Sequence, residues 1–186
     1  MLIRECVETD VGLLEESLPA RGMDVHAYWF GRQSAGEATY LVAFLDARPV
    51  GNCVIRWAGD LDTAIREALP DCPAISNLHV GPAHQGRGIG TALIRFAETT
   101  IQGRGHRRAT MGVGEDNPRA MALYTRLGYR DTGLRCVSRY DYPDDNGVMR
   151  EAVEHNIALV KDLHPRDVQH PTDPTQKGQL GRVSKS

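Results

Sequence analysis

Leu78-His79-Val80-Gly81-Pro82-Ala83-His84-Gln85-Gly86-Arg87-Gly88-Ile89-Gly90 is the stretch on which the reading of this chain turns. Ala74 to Val80 is apolar enough for a strand, and a loop from Gly81 to Gly88 follows it. A helix from about Gly90 to Gln102 comes next: Ile89, Ala92, Leu93, Phe96, Ala97 and Ile101 recur at the helical period, and Gly103 and Gly105 end it. A strand feeding a glycine-rich loop that opens a helix makes an anion site. The first N–H groups of a helix lack intrahelical partners, point outward, and add to the positive end of the helix dipole. Glycines let the backbone approach a phosphate closely because no Cβ intervenes. Arg87 and the side-chain amide of Gln85 offer further donors.

Three ligand classes use such a turn, and the spacing bears on each. A P-loop closes on Gly-Lys-Ser/Thr, whereas this loop closes on Gly88-Ile89-Gly90-Thr91. A dinucleotide site has G-x-G-x-x-G early in a βαβ unit, with an acid about 20 residues on. Here the spacing is G-x-G-x-G after four strand-like segments. Both fit badly, and on the loop alone a plain glycine-rich turn is as good a reading as a ligand site.

Outward from the turn, Leu2 to Val7 alternates as a strand does, and Asp10 can cap a helix reaching Leu18. A second helix spans about Asp24 to Gln33. Ala38 to Leu45 and Val50 to Trp57 form an antiparallel hairpin around Asp46-Ala47-Arg48-Pro49. Asp60 to Leu69 reads as a short helix. Downstream, Arg108 to Val113 is a strand. Asn117-Pro118 opens a helix whose Ala120, Leu123, Tyr124 and Leu127 share a face, with Gly128 as its stop. Tyr129 to Tyr142 and Val153 to Leu163 are two long strands around Pro143-Asp144-Asp145-Asn146-Gly147. The mixed order of elements implies a mixed α/β (α+β) sheet and not a simple doubly wound fold.

Two segments in this order carry a resemblance. Leu78-x-Val80-x-Pro82 followed by Gln85-x-x-Gly88-x-Gly90 resembles the acetyl-CoA signature of the GNAT (GCN5-related N-acetyltransferase) superfamily. Asn117-Pro118-Arg119-Ala120-Met121-Ala122-Leu123-Tyr124-Thr125-Arg126-Leu127-Gly128-Tyr129 resembles its downstream N-x-x-A-x-x-L-Y-x-x-x-G-F/Y segment. The resemblance covers about Leu2 to Leu163. It implies the acyl-CoA N-acyltransferase fold: a central mixed seven-stranded sheet flanked by about four helices, with the fourth strand (Ala74 to Val80) and fifth (Arg108 to Val113) splayed around acetyl-CoA. It implies that the pantetheine arm pairs with the backbone around Leu78, His79 and Val80. The pyrophosphate would rest on Gln85, Gly86, Arg87, Gly88, Ile89, Gly90 and Thr91. Asn117 and Ala120 would meet the arm from the other side, and Tyr124 would act as general acid toward the departing thiolate. The activity implied is transfer of an acetyl group from acetyl-CoA to a primary amine by direct attack in a ternary complex. A non-catalytic acetyl-CoA sensor is the alternative.

The physical case for Tyr124 stands beside the resemblance, because a thiolate leaves more readily when protonated as it departs. A core tyrosine with a satisfied hydroxyl is the competing reading. An alkylammonium of pKa about 10.4 must also lose its proton before attack. Family members often place a Glu or His on the fourth strand, or a Glu on the fifth. The matching positions here are Ala74, Ser76 and Gly112, none a strong base. Ser76, holding a water, and Glu115, between Gly114 and Asp116, are the remaining candidates. Strand alternation points His79 away from the face of Leu78 and Val80. An acceptor with a low-pKa amine would lessen the need for a base. The acceptor side would draw on Asp24, His26, Tyr28 and Trp29, on Arg139, Tyr140 and Asp141, and on the 60–69 helix as a wall, although ordinary packing explains each as well.

Composition bounds the rest. The 186 residues suit one domain, read as 1–164, with a polar, Pro-containing tail at 165–186 expected to be disordered. Hydrophobic residues make up 41% and charged residues 25%, ordinary for a soluble protein, and the net charge of -2 provides no basic field for nucleic acid or membrane. Gly103-Arg104-Gly105-His106-Arg107-Arg108 is short enough to be a solvated loop, or to touch the CoA 3′-phosphate. Cys6, Cys53, Cys72 and Cys136 form no C-x-x-C pair, and the histidines lack ligand spacing, so free thiols and no metal are expected. With no leader-like start and no ~20-residue apolar run, a cytoplasmic protein is expected. Lysine occurs only at Lys161, Lys177 and Lys185, an arginine bias that suits a GC-rich bacterial genome. The acceptor is read as a small-molecule or peptide amine, and a homodimer is open.

Overall fold

The segments rich in β-branched and aromatic residues pair into one seven-stranded sheet, and the amphipathic segments pack on its two faces. A computed structural model describes residues 1–19, 24–143 and 149–163. The strands are β1 (Leu2–Glu5), β2 (Ala38–Leu45), β3 (Arg48–Arg56), β4 (Ala74–Val80), β5 (Arg108–Gly114), β6 (Arg130–Pro143) and β7 (Met149–Asp162). The helices are α1 (Asp10–Ser17), α2 (Val25–Ser34), α3 (Thr63–Ala68), α4 (Ile89–Gly103) and α5 (Pro118–Arg126), with a 3₁₀ turn at Pro82–His84. The sheet order is β1-β2-β3-β4-β5-β7-β6, and every neighbouring pair is antiparallel except β4 with β5.

The mixed seven-stranded sheet flanked by helices is as expected, with five helices among the described residues. The N-cap of α3 is Asp62, whose side chain accepts from the Ile65 N–H at 3.1 Å, so the helix starts later than Asp60. Asp10 lies inside α1, where its carboxylate accepts from the Val7 N–H at 2.9 Å and pairs with Arg4 at 2.6 Å. The hairpin turn is tighter than Asp46-Ala47-Arg48-Pro49. Asp46 (φ 47°) and Ala47 (φ 62°) make the two-residue loop alone, the backbone of a type I′ turn whose twist matches the flanking strands. The expected turn at 144–147 and the tail at 165–186 lie outside the described residues.

The main core lies between the sheet and α4, where Ile89, Leu93, Ile94, Ala97 and Ile101 meet Leu41, Ile55, Ile75, Met111 and Leu159. Leu93, Ile94 and Ile101 are fully buried. Truncating any one of them to alanine costs about 2–5 kcal/mol, so this packing fixes where the α4 N-terminus sits. On the opposite face Leu14 of α1 and Leu18 just after it pack on Tyr40, Val42, Phe44 and Val54, with Trp29 and Phe30 of α2 against them.

Two features of β4 open the sheet beneath this core. Its parallel pairing with β5 is confined to Ala74 opposite Thr110, after which the strands part. Its pairing with β3 slips between Asn52 and Val54: Val54 faces Ser76, Asn52 faces His79, and Asn77 and Leu78 together oppose Cys53. That is a β-bulge, with Asn77 at φ 52° and its carbonyl held by the buried Asn52 side-chain amide at 3.0 Å. The bulge inverts the alternation, so Ile75 lies in the main core while Leu78 and Val80, not His79, continue that face beyond it.

Candidate functional site

The splay of β4 from β5 leaves a cleft of about 740 Å³ between β4, the start of α4 and one face of α5. Leu78 and Val80 line it from the strand; Gln85, Gly86, Gly88, Ile89, Gly90 and Thr91 line it from the turn; Asn117, Ala120, Leu123 and Tyr124 line it from α5. The sequence reading named all of these except Leu123 as ligand-binding residues.

The turn owes its shape to its glycines. Gly86 (φ 75°) and Gly88 (φ 81°) occupy the left-handed region, and a Cβ at either would meet nothing within 4 Å, so bare backbone faces open space. Gly88 is the N-cap of α4, and the first bond of that helix runs from Ala92 N–H to Gly88 O. The N–H groups just before Ala92 therefore have no acceptor within the helix and converge at its positive end, where they suit a phosphate. His84, Arg119 and Arg126 bring further cationic or donor groups to the same wall.

Three details differ from the sequence reading. Arg87 and His79 do not line the cleft: Arg87 turns to His84 (Nη1 to Nδ1, 3.2 Å), and His79 lies on the opposite face. The Gln85 side chain is occupied. Its Nε2 donates to the Val80 carbonyl at 3.1 Å and its Oε1 accepts from Arg119 at 3.2 Å, so it straps the strand end to α5. Asn117 spends its Oδ1 on the Ala120 N–H at 3.0 Å as the α5 N-cap, which leaves its NH₂ for the cleft. Sequence reasoning missed Arg119 and Arg126, although their spacing with Ala122 and Leu123 marks one helical face.

Tyr124 is 9% exposed, stands edge-on to Tyr129 at 6.4 Å between centroids, and lines the cleft. Burial first, and then the neighbouring Cys53 thiol, raise its phenol above the usual value. Cys53 is itself pushed up to about 12 by burial, so it stays a neutral thiol. A protonated phenol at the base of the cleft is a proton donor at any physiological pH.

The other face of the sheet receives the remaining candidates. Ser76 pairs with Val54, whose side chain joins the α1 cluster, so its hydroxyl points away from α4; Ser76 Oγ is buried and finds no hydrogen-bond partner among the described residues. A Cβ at Gly112 would meet nothing within 4 Å. Glu115 is about half exposed, pairs with Arg135 at 3.5 Å and does not line the cleft. Burial, and then His26, lower the His79 pKa. His26 is structural: it is 1% exposed, donates from Nε2 to the Leu18 carbonyl at 2.8 Å and is hydrogen-bonded through Nδ1 to the Tyr40 hydroxyl. Trp29 is packed into the α1 cluster while Tyr28 stays 56% exposed. Arg139 is well exposed and pairs with Glu151 at 3.7 Å; the Tyr140 and Asp141 side chains lie outside the described set. Among the described residues no helix is long and apolar enough to cross a membrane.

Comparison with known proteins gives a consistent result. The family model described as Acetyltransferase (GNAT) family matches residues 4–129. An uncharacterized N-acetyltransferase of Methanocaldococcus jannaschii is 31% identical over 122 residues, which is 60% of this chain and 51% of the relative. The ribosomal protein bS18-alanine N-acetyltransferase of Escherichia coli is 31% identical over 84 residues, 45% of this chain and 55% of that one. The chain thus spans about half the length of these relatives. Among solved structures, the ribosomal-protein-S18-alanine N-acetyltransferase from Escherichia coli superposes with a TM-score of 0.61 at 17% identity, over 91% of this chain and 97% of that one. That likeness speaks for the fold.

Proposed function

This chain belongs to the GNAT acetyltransferase family, and on that premise we propose that it moves the acetyl group of acetyl-CoA to a primary amine by direct attack within a ternary complex. The observation that carries the proposal is the cleft between β4 and α5, floored by the unpaired N–H groups of the α4 turn and closed at its base by Tyr124. Acetyl-CoA would supply a thioester-activated acetyl group and a thiol leaving group. The backbone from Gly86 to Thr91 would grip the pyrophosphate, with Arg119 and Arg126 completing the neutralisation. Leu78 and Val80 would pair with the pantetheine amides as an added strand, and the free NH₂ of Asn117 would donate from α5. Ile89, Gly90 and Ala120 would pack along the arm. The Tyr124 hydroxyl would protonate the departing sulfur.

Deprotonation of the amine is the step for which the chain supplies least. Ala74, Ser76 and Gly112 put no carboxylate or imidazole at the opening. A typical alkylammonium, with pKa about 10.4, is neutral in roughly one molecule per 2,500 at pH 7, whereas an α-amine of pKa about 7.7–8.0 is neutral in roughly one per ten to one per six. The site therefore suits an acceptor of low amine pKa, a peptide N-terminus or a small α-amine, with a water on Ser76 Oγ relaying the proton. Glu115, paired and exposed, is the weaker candidate. A cytoplasmic location fits such acceptors.

Thiol release from acetyl-CoA, screened across α-amines, alkylamines and aryl amines, tests the reading. Turnover that drops steeply in Tyr124→Phe while acetyl-CoA still binds is the expected result. Binding without turnover for every amine would leave a sensor as the better description.

A further inference from the structure

Arg56 is a largely buried charged group with few partners among the described residues. Its side chain is 14% exposed, its Nε is buried without a hydrogen-bond partner, and none of its guanidinium N–H groups makes a hydrogen bond among the described residues. Its one ion pair among the described residues, with Asp60, is loose at 3.9 Å. The Asp60 carboxylate is meanwhile engaged by the Asp62 N–H at 2.9 Å, and Arg66 clamps this loop by donating to the Asp60 and Leu61 carbonyls. A guanidinium taken out of water with its donors idle is costly, and a buried polar group left open calls for a partner.

Its position says which partner. Arg56 pairs with Ala38 on β2 and Ala74 on β4, and two small neighbours leave room above them. Residues directly opposite in a sheet share a face, so Arg56, Ala74 and Ser76 all point to the α1–α2 side, as do Thr110, opposite Ala74, and Gly112. This is the side from which an acceptor reaches the splay, since α4 and α5 occupy the other. From Ala74 to the bulge at Asn77 is three residues, roughly 10 Å at ~3.3 Å each. Cys136 of β6 and Tyr28 of α2 also lie within electrostatic reach of the guanidinium.

Resting on the transferase reading above, we infer that Arg56 is the seat for a carboxylate carried by the acceptor within roughly 10 Å of its reactive amine. The planar fork of arginine matches a carboxylate edge to edge. Asp60 already places one negative charge beside it, which tolerates a singly charged partner and disfavours a doubly charged phosphate. The carboxylate has two possible sources: an acidic side chain one or two residues after a protein N-terminus, which leaves the α-amine pKa low, or a small amino acid, whose own carboxylate raises its amine pKa and so fits the base-poor site less well.

Matched pairs of acceptors test this. Glycine, β-alanine and γ-aminobutyrate are compared with their primary amides, and the dipeptide amides Ala-Glu-NH₂ and Ala-Asp-NH₂ with Ala-Gln-NH₂ and Ala-Asn-NH₂; the first set reports a small amino acid and the second a protein N-terminus. Because amidation also lowers the amine pKa, the readout is the acid-to-amide ratio of kcat/KM and how it differs between wild type and Arg56→Met. A drop in that ratio of about tenfold to a hundredfold, carried by KM, is expected for the loss of a charge-assisted contact. Arg56→Lys keeps the charge and loses the fork, so it should fall between; it also serves if the methionine variant does not fold, which acetyl-CoA calorimetry reveals. Turnover with an unchanged ratio overturns the role of Arg56 alone. Absence of thiol release with every amine overturns the transferase reading and this assignment with it.

Discussion

Replacing Gly51 by alanine asks whether the cleft is held by the packing described above. Gly51 sits in β3 between Ala43 on β2 and Val80 on β4. A Cβ there would lie 2.9 Å from the His79 carbonyl oxygen and 3.3 Å from both Ile89 Cγ2 and Leu93 Cδ1. The carbonyl is backbone in a paired strand and yields little; Ile89 and Leu93 belong to the first turns of α4. One methyl group therefore pushes on β4 and on the α4 N-terminus, two walls of the cleft, at once. Overpacking of this kind costs about 1–3 kcal/mol, which for a domain of this size lowers Tm by about 2–10 °C. Movement of the turn amides by a few tenths of an ångström should also weaken CoA several-fold, about 1 kcal/mol. Thermal melting and calorimetric titration with CoA measure both. Gly12→Ala is the control: Gly12 lies exposed in α1 with nothing within 4 Å of a Cβ, and should gain up to about 1 kcal/mol from helix propensity. Gly51→Ala matching wild type in Tm and CoA affinity would refute the packing argument.

Tyr124→Phe should lower kcat by about 10²–10³-fold if the phenol is the acid, and steady-state thiol release reads this. Because burial raises the phenol, the wild-type rate should show no alkaline loss from this group below pH 10. Ala47→Gly relieves a left-handed alanine (φ 62°) and should add about 0.5–1 kcal/mol in urea unfolding, net of the greater chain entropy of glycine. The Arg4 hydrogen bonds, then that from the Val7 N–H, hold the Asp10 carboxyl below its usual pKa against the opposing effect of burial. Its stabilisation is thus complete above the unfolded value of about 3.9 and fades as pH falls through the lower folded value. Asp10→Asn should cost about 1–2 kcal/mol at pH 7 and progressively less in acid, as urea titrations at several pH values would show.

The strand–turn–helix at 74–103 and the helix opened by Asn117-Pro118 were legible because local chemistry dictates them: glycines where φ is positive, a cap, and apolar residues at the helical period. Features that depend on partners distant in sequence were not legible. Asn77 looks like any strand residue, and only the slip of β4 against β3, held by Asn52, makes it a bulge. That slip is why Ser76 and Leu78 point to opposite faces when simple alternation would join them. Gln85 could be read as a phosphate donor because its two long-range partners, Val80 O and Arg119, do not appear as a local pattern. β7 begins at Met149, earlier than the expected Val153, because polar residues there pair with β6 and do not need an apolar alternation of their own. Arg56 likewise reads as an ordinary end-of-strand arginine until its burial is known.

The bulge connects these findings to function. β4 leaves β5 after Ala74 and Thr110 and, three residues on, bulges against β3, so the α4–α5 face has a passage to the α1–α2 face and Leu78 and Val80 line it. With the strands parted beyond Ala74 and Thr110, an acyl donor held on one face can be met by an amine from the other. The division of chemistry follows. On the proposed transferase reading the donor side carries the unpaired amides, the cationic edge and Tyr124, the groups a departing thiol would need. On that reading the acceptor side carries small residues at 74, 112 and 158, a serine hydroxyl with no hydrogen-bond partner among the described residues and a guanidinium held only by a loose ion pair, and these would orient an incoming molecule more than alter its protonation. On the proposed reading such a site favours an amine with a larger neutral fraction than an alkylamine and an anchoring carboxylate of its own, so the base that the sheet lacks and the carboxylate assigned to Arg56 both bear on the acceptor.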